Sequence, residues 1–324
     1  MTEANVNPLP DLPRPPNMPP SLYEPTVMTP TPALPESPYF ERDILLDPPD
    51  MPQAGWFADV EADVLKAHFK NRLTETVPIG SAPPTTVHAA GADLDWTVSP
   101  RIEVGYRFAS GFGELAVGYR SFFADGAQDV VTVDGTATAR SVLAFDILDF
   151  DYSSRKLSLG PAWEMKWTLG ERNAWTYYAA RNVEGLATAA AGSGLVRQRE
   201  SNGFCGFGPH GGVELARHLG DSGWSLLMKV DAAGLIGWLR QDFRVRDTTG
   251  AIVEVRDTRV TDVPALHGEV GLDWRSTWGS RRWRFFGGYE YEYWWDIGRM
   301  DTSISNSRAD MNNQGFVLRA GFNY

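Results

Sequence analysis

The chain has 324 residues, of which 43% are hydrophobic and 12% aromatic, and it carries 32 glycines and a formal net charge of -11. The acidic balance excludes a dedicated nucleic-acid binder, because phosphate contacts demand a basic surface. A single cysteine, Cys205, excludes an intramolecular disulfide and a Cys-based metal cluster, and no apolar run approaches the ~18 residues of a spanning helix. A Gly- and aromatic-rich all-β protein remains.

The first 52 residues form a segment of their own. Fifteen of the 22 prolines lie before Gln53, and proline removes a backbone donor and restricts φ, so neither a helix nor a sheet ladder is expected there. We predict a Pro-rich disordered tail over residues 1–52, acting as a spacer, a periplasmic tether or a recognition segment, followed by one domain over residues 53–324. Met1 is followed by neither the basic nor the apolar region of a signal peptide, so none is visible in this sequence.

From Trp56 onward, the pattern alternates with period two. Between Leu94 and Phe108 every even position except Pro100 is aliphatic or aromatic, and the odd positions are Asp, Thr, Ser, Arg, Glu, Gly and Arg. Such alternation predicts strands that separate two different media. Ten strands are predicted, over roughly residues 54–67, 93–109, 112–124, 139–152, 161–183, 203–219, 223–241, 259–276, 281–298 and 311–324. The stretch Arg140–Tyr152 alternates poorly, and we predict a bulge there.

The chemistry of the two faces decides the fold class. Tryptophan and tyrosine cluster near the strand ends on the apolar face, whereas the other face carries glycine and paired charges, which is typical of a transmembrane β-barrel rather than of a soluble sandwich. We therefore predict a closed antiparallel up-and-down barrel of about ten strands, because an open edge in hydrocarbon leaves backbone groups unpaired. The predicted membrane-interface aromatics are Trp96, Tyr106, Trp163, Trp175, Trp224, Trp238, Trp274, Trp283, Trp295 and Tyr324.

The lengths of the connections favour the same architecture. Long connections, around residues 68–92, 125–138, 184–202, 242–258 and 299–310, alternate with tight ones, as extracellular loops and periplasmic turns do in outer-membrane barrels. Both termini then face the periplasm. The segment Arg244–Arg256 is either a hairpin that extends above the membrane or two further strands that would make twelve.

The inward face supplies the candidate lumen residues. The predicted lumen-lining charges are Asp95, Arg101, Glu103, Arg107, Glu114, Arg120, Glu164, Lys166, Arg172, Glu214, Lys229, Asp231, Glu269, Asp273, Arg275, Arg282, Arg284, Glu290, Glu292, Asp296 and Arg319. Acids and bases nearly balance in this set. Long side chains of both signs in a narrow barrel are expected to pair across the interior, so we predict a narrow or largely occluded lumen.

Catalytic and metal signatures are absent from the sequence. It contains no phosphate-binding loop, nucleophile elbow or His-Glu-x-x-His motif, so no catalytic, cofactor or metal residues are assigned and no cofactor is expected. His210, Glu214, His267 and Glu269 all face the predicted lumen, where interior polar filling is favoured over an acid/base or metal cluster. His68 and His88 fall in a predicted extracellular loop, and outward Cys205 is interpreted as a small apolar residue.

Several short motifs resemble a known family. The stretches Leu94–Arg101, Gly105–Arg107, Gly118–Arg120, Asp149–Tyr152, Gly206–Gly212 and Gly315–Leu318 are similar to the Legionella-type major outer membrane protein family as it occurs in planctomycete-like sequences. The resemblance covers about residue 54 to Tyr324. It implies an outer-membrane β-barrel and, from the family's namesake, pore formation; it implies no catalytic residues.

We therefore expect a non-enzymatic outer-membrane barrel of a Gram-negative envelope, either a narrow porin-like pore or an envelope scaffold. Two alternatives stay open: a barrel enzyme with a hydrolytic site at its extracellular rim, and a soluble β-barrel that binds a ligand in its mouth. The expected partners are the outer-membrane lipid bilayer, the barrel-assembly machinery and small solutes, with no nucleic acid.

Overall fold

A computed structural model describes residues 54–71, 74–77, 85–88, 91–109, 112–132, 135–186, 194–220, 222–246, 252–278, 281–301 and 306–323. The predicted tail, residues 1–52, lies outside them. The strands are β1 (Gly55–Asn71), β2 (Thr74–Val77), β3 (Thr85–His88), β4 (Trp96–Arg107), β5 (Glu114–Thr132), β6 (Gly135–Ser153), β7 (Leu157–Gly160), β8 (Trp163–Leu186), β9 (Gly194–His218), β10 (Trp224–Arg246), β11 (Ile252–Trp278), β12 (Arg281–Asp301) and β13 (Asn306–Asn323).

Ten of these strands close into an antiparallel barrel. Each pairs with its neighbours in the order β1-β4-β5-β6-β8-β9-β10-β11-β12-β13, and β13 returns to β1. The short strand β7 only adds to the end of β8, and β2 and β3 form a separate hairpin. The predicted all-β barrel of ten strands is thus confirmed. Closure leaves none of the ten with an unpaired edge, as a hydrocarbon environment requires.

The two faces of the wall differ as the alternation predicts. In β10, outward residues from Trp224 to Trp238 are exposed or nearly so, whereas the inward residues between them are buried or half-buried. Aromatic rings mark both ends of this apolar band. Trp224 lies opposite Trp274 near one end, and Trp175 and Trp238 flank Cys205 near the other. We call the end that holds Gly55 and Asn323 the lower end; it is the end predicted to face the periplasm.

The upper connections are shorter than predicted, because the strands extend beyond the aromatic band. The pair β10 and β11 stays in register up to Arg246 opposite Ile252, so the segment Arg244–Arg256 is an extended hairpin and the twelve-strand alternative is wrong. Strand β1 likewise runs to Asn71, which places His68 in a strand rather than a loop. Among the described residues, no helix is long and apolar enough to cross a membrane.

The bulge predicted in Arg140–Tyr152 is wrong. Strand β6 pairs without a shift with β5 and β8 throughout that stretch. Its alternation is hidden because inward Leu143, Phe145 and Ile147 are apolar, whereas Asp146 between them is a charged residue on the outward face. The register shift lies instead in β12, between Trp294 and Gly298, where Asp296 adopts a left-handed φ of 52°.

Candidate functional site: two layers inside the barrel

The lumen above its charged lower half contains a zone filled by hydrocarbon, and buried Asn202, Gln241 and Glu200 lie above that zone. A continuous buried cluster, which we call the apolar layer, consists of Leu65, Ala67, Leu94, Phe122, Ala124, Leu143, Phe145, Ile147, Ala174, Tyr178, Ala180, Phe204, Ala233, Leu235, Leu239, Val263, Ala265, Trp294, Ile297 and Met311. The strands that supply it lie on all sides of the barrel. A polar interior was predicted for the whole barrel, so an apolar zone is a correction.

Two aromatic rings bridge this layer from wall to wall. Phe145 on β6 and Trp294 on β12 lie on opposite strands of the closed ring, yet their ring centroids are 5.2 Å apart in an edge-to-face contact. Phe122 packs on Phe145 at 5.0 Å, and both Phe145 and Trp294 are fully buried. Aromatic contacts of this kind leave no room for a water column between them.

The lower half is lined by charge, and we call this set the charged layer. Its inward acids are Asp59, Glu61, Asp63, Glu103, Glu114, Asp149, Asp151, Glu164, Glu214, Asp231, Glu269, Asp273, Glu290 and Glu292, and its inward bases are Arg101, Arg107, Arg120, Lys166, Arg172, Lys229, Arg275, Arg284 and Arg319. Acids clearly outnumber bases among the described side chains. The predicted near-balance of the lumen is therefore corrected to an acidic excess.

Five of these acids were missed by the sequence analysis. Asp59, Glu61 and Asp63 alternate with small apolar residues along β1, a pattern that is visible in the sequence. Asp149 and Asp151 lie in β6, whose alternation is obscured by the apolar layer above them. The first three could have been found from period two alone, whereas the last two required the register of β6.

Four predicted positions depart from the inward wall or fall outside the description. Asp95 is exposed and precedes β4, where its backbone amide donates to the carbonyl of Asp125. Asp296 lies in the β12 bulge, which interrupts the inward alternation, and its amide donates to outward Asp310. The side chain of Arg282 and all of Tyr324 lie outside the described parts.

Most charges pair across the lumen. Arg120 reaches from β5 to β12, with its nitrogens 3.2 Å from Glu290 and 3.5 Å from Glu292, and its Nε lies 3.6 Å from Asp63 on β1. Arg284 on β12 reaches Glu214 on β9 at 3.1 Å. These pairs hold different strands together in the low-dielectric interior, where bulk salt screens little.

One cavity among the described residues of the charged layer is small. A cavity of about 60 Å³ is lined by charged side chains of both signs, including Asp151, Lys166, Arg172 and Glu214. That volume corresponds to a few water molecules. A hydrated sugar or amino acid does not fit within it.

Two histidine clusters lie in the charged layer. His210 sits between two carboxylates, with Nε2 2.5 Å from Asp151 and Nδ1 3.3 Å from Asp231. Nearby Asp149 binds Arg172 through both oxygens, at 2.8 and 3.0 Å. His267 forms the second cluster with Glu269 and Glu290. All four lumen-facing histidine and glutamate positions predicted from the sequence, including Glu214, point inward.

One lysine lies in the lower turn that follows β6. The Lys156 ammonium is 3.6 Å from Glu164. Burial, followed by repulsion from Arg275 and Arg284, lowers the pKa of Lys156 to about 7, against the opposing attraction of Glu164. The lower mouth of the barrel therefore holds an amine that titrates near neutral pH.

Comparisons with known proteins give one family. The family model described as Legionella pneumophila major outer membrane protein precursor matches residues 51–323. No curated protein matches the sequence.

Solved outer-membrane barrels resemble the chain only distantly. The Escherichia coli outer membrane protease OmpT is 10% identical with a TM-score of 0.45, covering 84% of this chain and 97% of that one. The Pseudomonas putida toluene transporter TodX is 11% identical with a TM-score of 0.33, covering 83% and 90%. A Pseudomonas aeruginosa FadL homologue is 8% identical with a TM-score of 0.29, again covering 83% and 90%.

Proposed function

Because the chain belongs to the family of the Legionella pneumophila major outer membrane protein, and its barrel is filled from wall to wall, we propose that it is a non-enzymatic envelope scaffold with an occluded lumen. Family membership and the closed barrel make it an outer-membrane β-barrel protein. The proposal concerns what the barrel does there.

The contact between Phe145 and Trp294 carries the proposal. A porin needs a continuous aqueous path, since desolvating an ion or a sugar inside an apolar constriction is costly. Here the path is interrupted at the apolar layer, and the charged layer below it is crossed by paired side chains. These features support a scaffold over a porin with an open pore.

Solute uptake tests the proposal directly. Vesicles containing the folded barrel are placed in an isotonic sugar solution, and their swelling is followed by light scattering. A scaffold leaves the swelling rate equal to that of protein-free vesicles, even for a small pentose. Swelling that increases with the amount of inserted barrel would instead establish a pore.

The lipid bilayer is the proposed partner of the outer face. Outward side chains such as Ile102, Phe316 and Leu318 are more than half exposed in the isolated chain, and they form the band that hydrocarbon would cover. We propose the barrel-assembly machinery as a second partner, because the chain belongs to an outer-membrane protein family and closes into a barrel. Depletion of this machinery in cells should lower the fraction of chains inserted in the outer membrane; unchanged insertion would remove it as a partner.

Placement of the acid and histidine groups supports a non-enzymatic role. The His210 and His267 clusters are buried below the apolar layer, away from the extracellular rim at which the enzyme alternative needs its hydrolytic site. A hydrolase assay with peptide and lipid ester substrates on intact cells tests this point. Turnover lost in a His210→Asn or His267→Asn variant would contradict it.

A further inference from the structure

The second histidine cluster has the geometry of a metal site. His267 and Glu269 alternate on β11 and both point inward, and Glu290 on β12 lies directly opposite Glu269 in the ladder. His267 Nε2 is 3.1 Å from Glu290 Oε2 and 3.5 Å from Glu269 Oε1. Metal–ligand distances of about 2.0–2.2 Å place neighbouring ligand atoms roughly 3 to 3.5 Å apart. The two distances from His267 match this spacing, and one ligand atom from each of the three residues lies within 4.8 Å of the others.

The other oxygen of each glutamate is already held. Arg319 binds Glu269 Oε2 at 2.8 Å, and Arg120 binds Glu290 Oε1 at 3.2 Å. Each arginine thereby fixes its carboxylate so that the remaining oxygen faces the imidazole. Outer partners of this kind orient the ligands of metal sites in proteins.

One of the facing oxygens is buried without a hydrogen bond. Glu269 Oε1 has no hydrogen-bond partner among the described residues, and Glu269 is only 2% exposed. The Lys229 ammonium lies 3.8 Å from this oxygen. A buried acceptor left in this state costs free energy that a coordinated cation would recover.

The local arrangement of charges also favours a bound cation. Like charges directly opposite in a ladder, as Glu269 and Glu290 are, repel each other. Asp63 and Glu292 add two further carboxylates around Arg120, and both Asp63 oxygens are buried without hydrogen bonds. Four carboxyl groups therefore lie around Arg120 and His267, below the buried side chains of Ala265 and Trp294.

From this geometry we infer that His267, Glu269 and Glu290 bind one divalent first-row metal ion of the Zn²⁺ class, supplied from the lower mouth of the barrel. One imidazole nitrogen and two carboxylate oxygens suit such an ion. The His210 cluster also contains buried atoms without hydrogen bonds, His210 Nε2 and Asp151 Oδ1, but its third carboxylate is not available to an ion. Asp149 is occupied by Arg172, and both nitrogens of His210 already face carboxylates.

The test uses the full chain, folded in detergent, stripped with a chelator and titrated with Zn²⁺ alone by calorimetry. We expect one ion per barrel, with at least tenfold weaker binding in His267→Asn and in Glu290→Gln. His210→Asn is the matched control, because it alters an equally buried histidine of the same layer and should keep the wild-type affinity. Heat-modifiable gel mobility confirms that each variant is folded.

Cobalt provides a readout that does not depend on affinity alone. Co²⁺ bound by one nitrogen and carboxylate oxygens in a dry site should give visible absorption bands that are absent from His267→Asn. If one of the two ligand variants does not fold, the other still decides the outcome. The inference would be overturned if the wild type bound no stoichiometric metal, or if His267→Asn bound it as well as the wild type does. His267 would then be an imidazole that only pairs with the neighbouring carboxylates.

Discussion

The two layers inside the lumen are built from opposite chemistry on the same ten strands. The apolar layer is held by contacts that tolerate no water, such as the edge-to-face pair of Phe145 and Trp294. The charged layer is held by directional pairs, such as the two bonds between Arg172 and Asp149. A barrel wall of constant register can therefore carry a dry closure above and a polar network below, by changing only its inward residues.

The layers also differ in how they respond to damage. Removing hydrocarbon from a packed core leaves a cavity, and the cost grows with its volume. Removing one member of a buried ion pair leaves an uncompensated charge, and the cost falls again when its partner is neutralised. A second substitution should therefore recover lost stability in the charged layer but not in the apolar layer.

The largest effect is expected at Arg120. Arg120→Met leaves Asp63, Glu290 and Glu292 without their shared cation and should lower the free energy of unfolding by about 3–5 kcal/mol. Urea unfolding of barrels in lipid vesicles measures this change. The double variant Arg120→Met/Glu290→Gln should recover part of the loss, and an equal or greater loss in the double variant would contradict the pairing.

Trp294→Ala should lower the free energy of unfolding by up to a similar amount, about 3–5 kcal/mol, because the residue is fully buried in the apolar layer. No second substitution that neutralises a charge should recover this lost stability. The matched control is Trp294→Phe, which keeps a ring against Phe145 and removes the indole Nε1, a donor without an acceptor among the described residues. Equal losses of stability in the two variants would mean that the aromatic ring does not fill this position.

A smaller effect is expected on the outer wall. Leu318 is 65% exposed on the outward face, beside Ala62 of β1 and Gly287 of β12. Leu318→Arg should cost about 2–4 kcal/mol in a bilayer. The conservative lumen change Thr97→Ser should cost far less, since it keeps the hydroxyl that donates to the Phe123 carbonyl. Equal losses in the same vesicle assay would mean that the inward and outward faces are misassigned.

The last expected effect concerns pH at the lower mouth. Since the pKa of Lys156 is about 7 in the folded barrel and near 10.5 in an exposed chain, the unfolded state binds more protons between these values. Stability from this group must therefore rise with pH across that window. The difference in unfolding free energy between wild type and Lys156→Met should increase in favour of wild type from pH 7 to pH 9.5. A stability difference that does not change with pH would mean that the pKa of Lys156 is that of an exposed lysine.

Sequence patterning was enough to predict the barrel, because period two is imposed by the pleat wherever the two faces meet different media. Trp224 to Trp238 shows this most clearly. The pattern was insufficient at Leu143, Phe145 and Ile147, where the inward face is apolar and outward Asp146 is charged, although the strand is regular. The pattern of a single strand also could not predict that Glu269 lies opposite Glu290, because cross-strand register depends on the closed ring and not on either strand alone.

Single-channel recording in planar bilayers tests the central claim most directly. With the wild-type barrel inserted, we predict no large steady conductance, because the apolar layer interrupts the aqueous path between the charged layer and the upper mouth. The variant Phe145→Ala/Trp294→Ala, which removes both bridging rings, should show openings that the wild type lacks. A large, steady wild-type conductance would contradict the account.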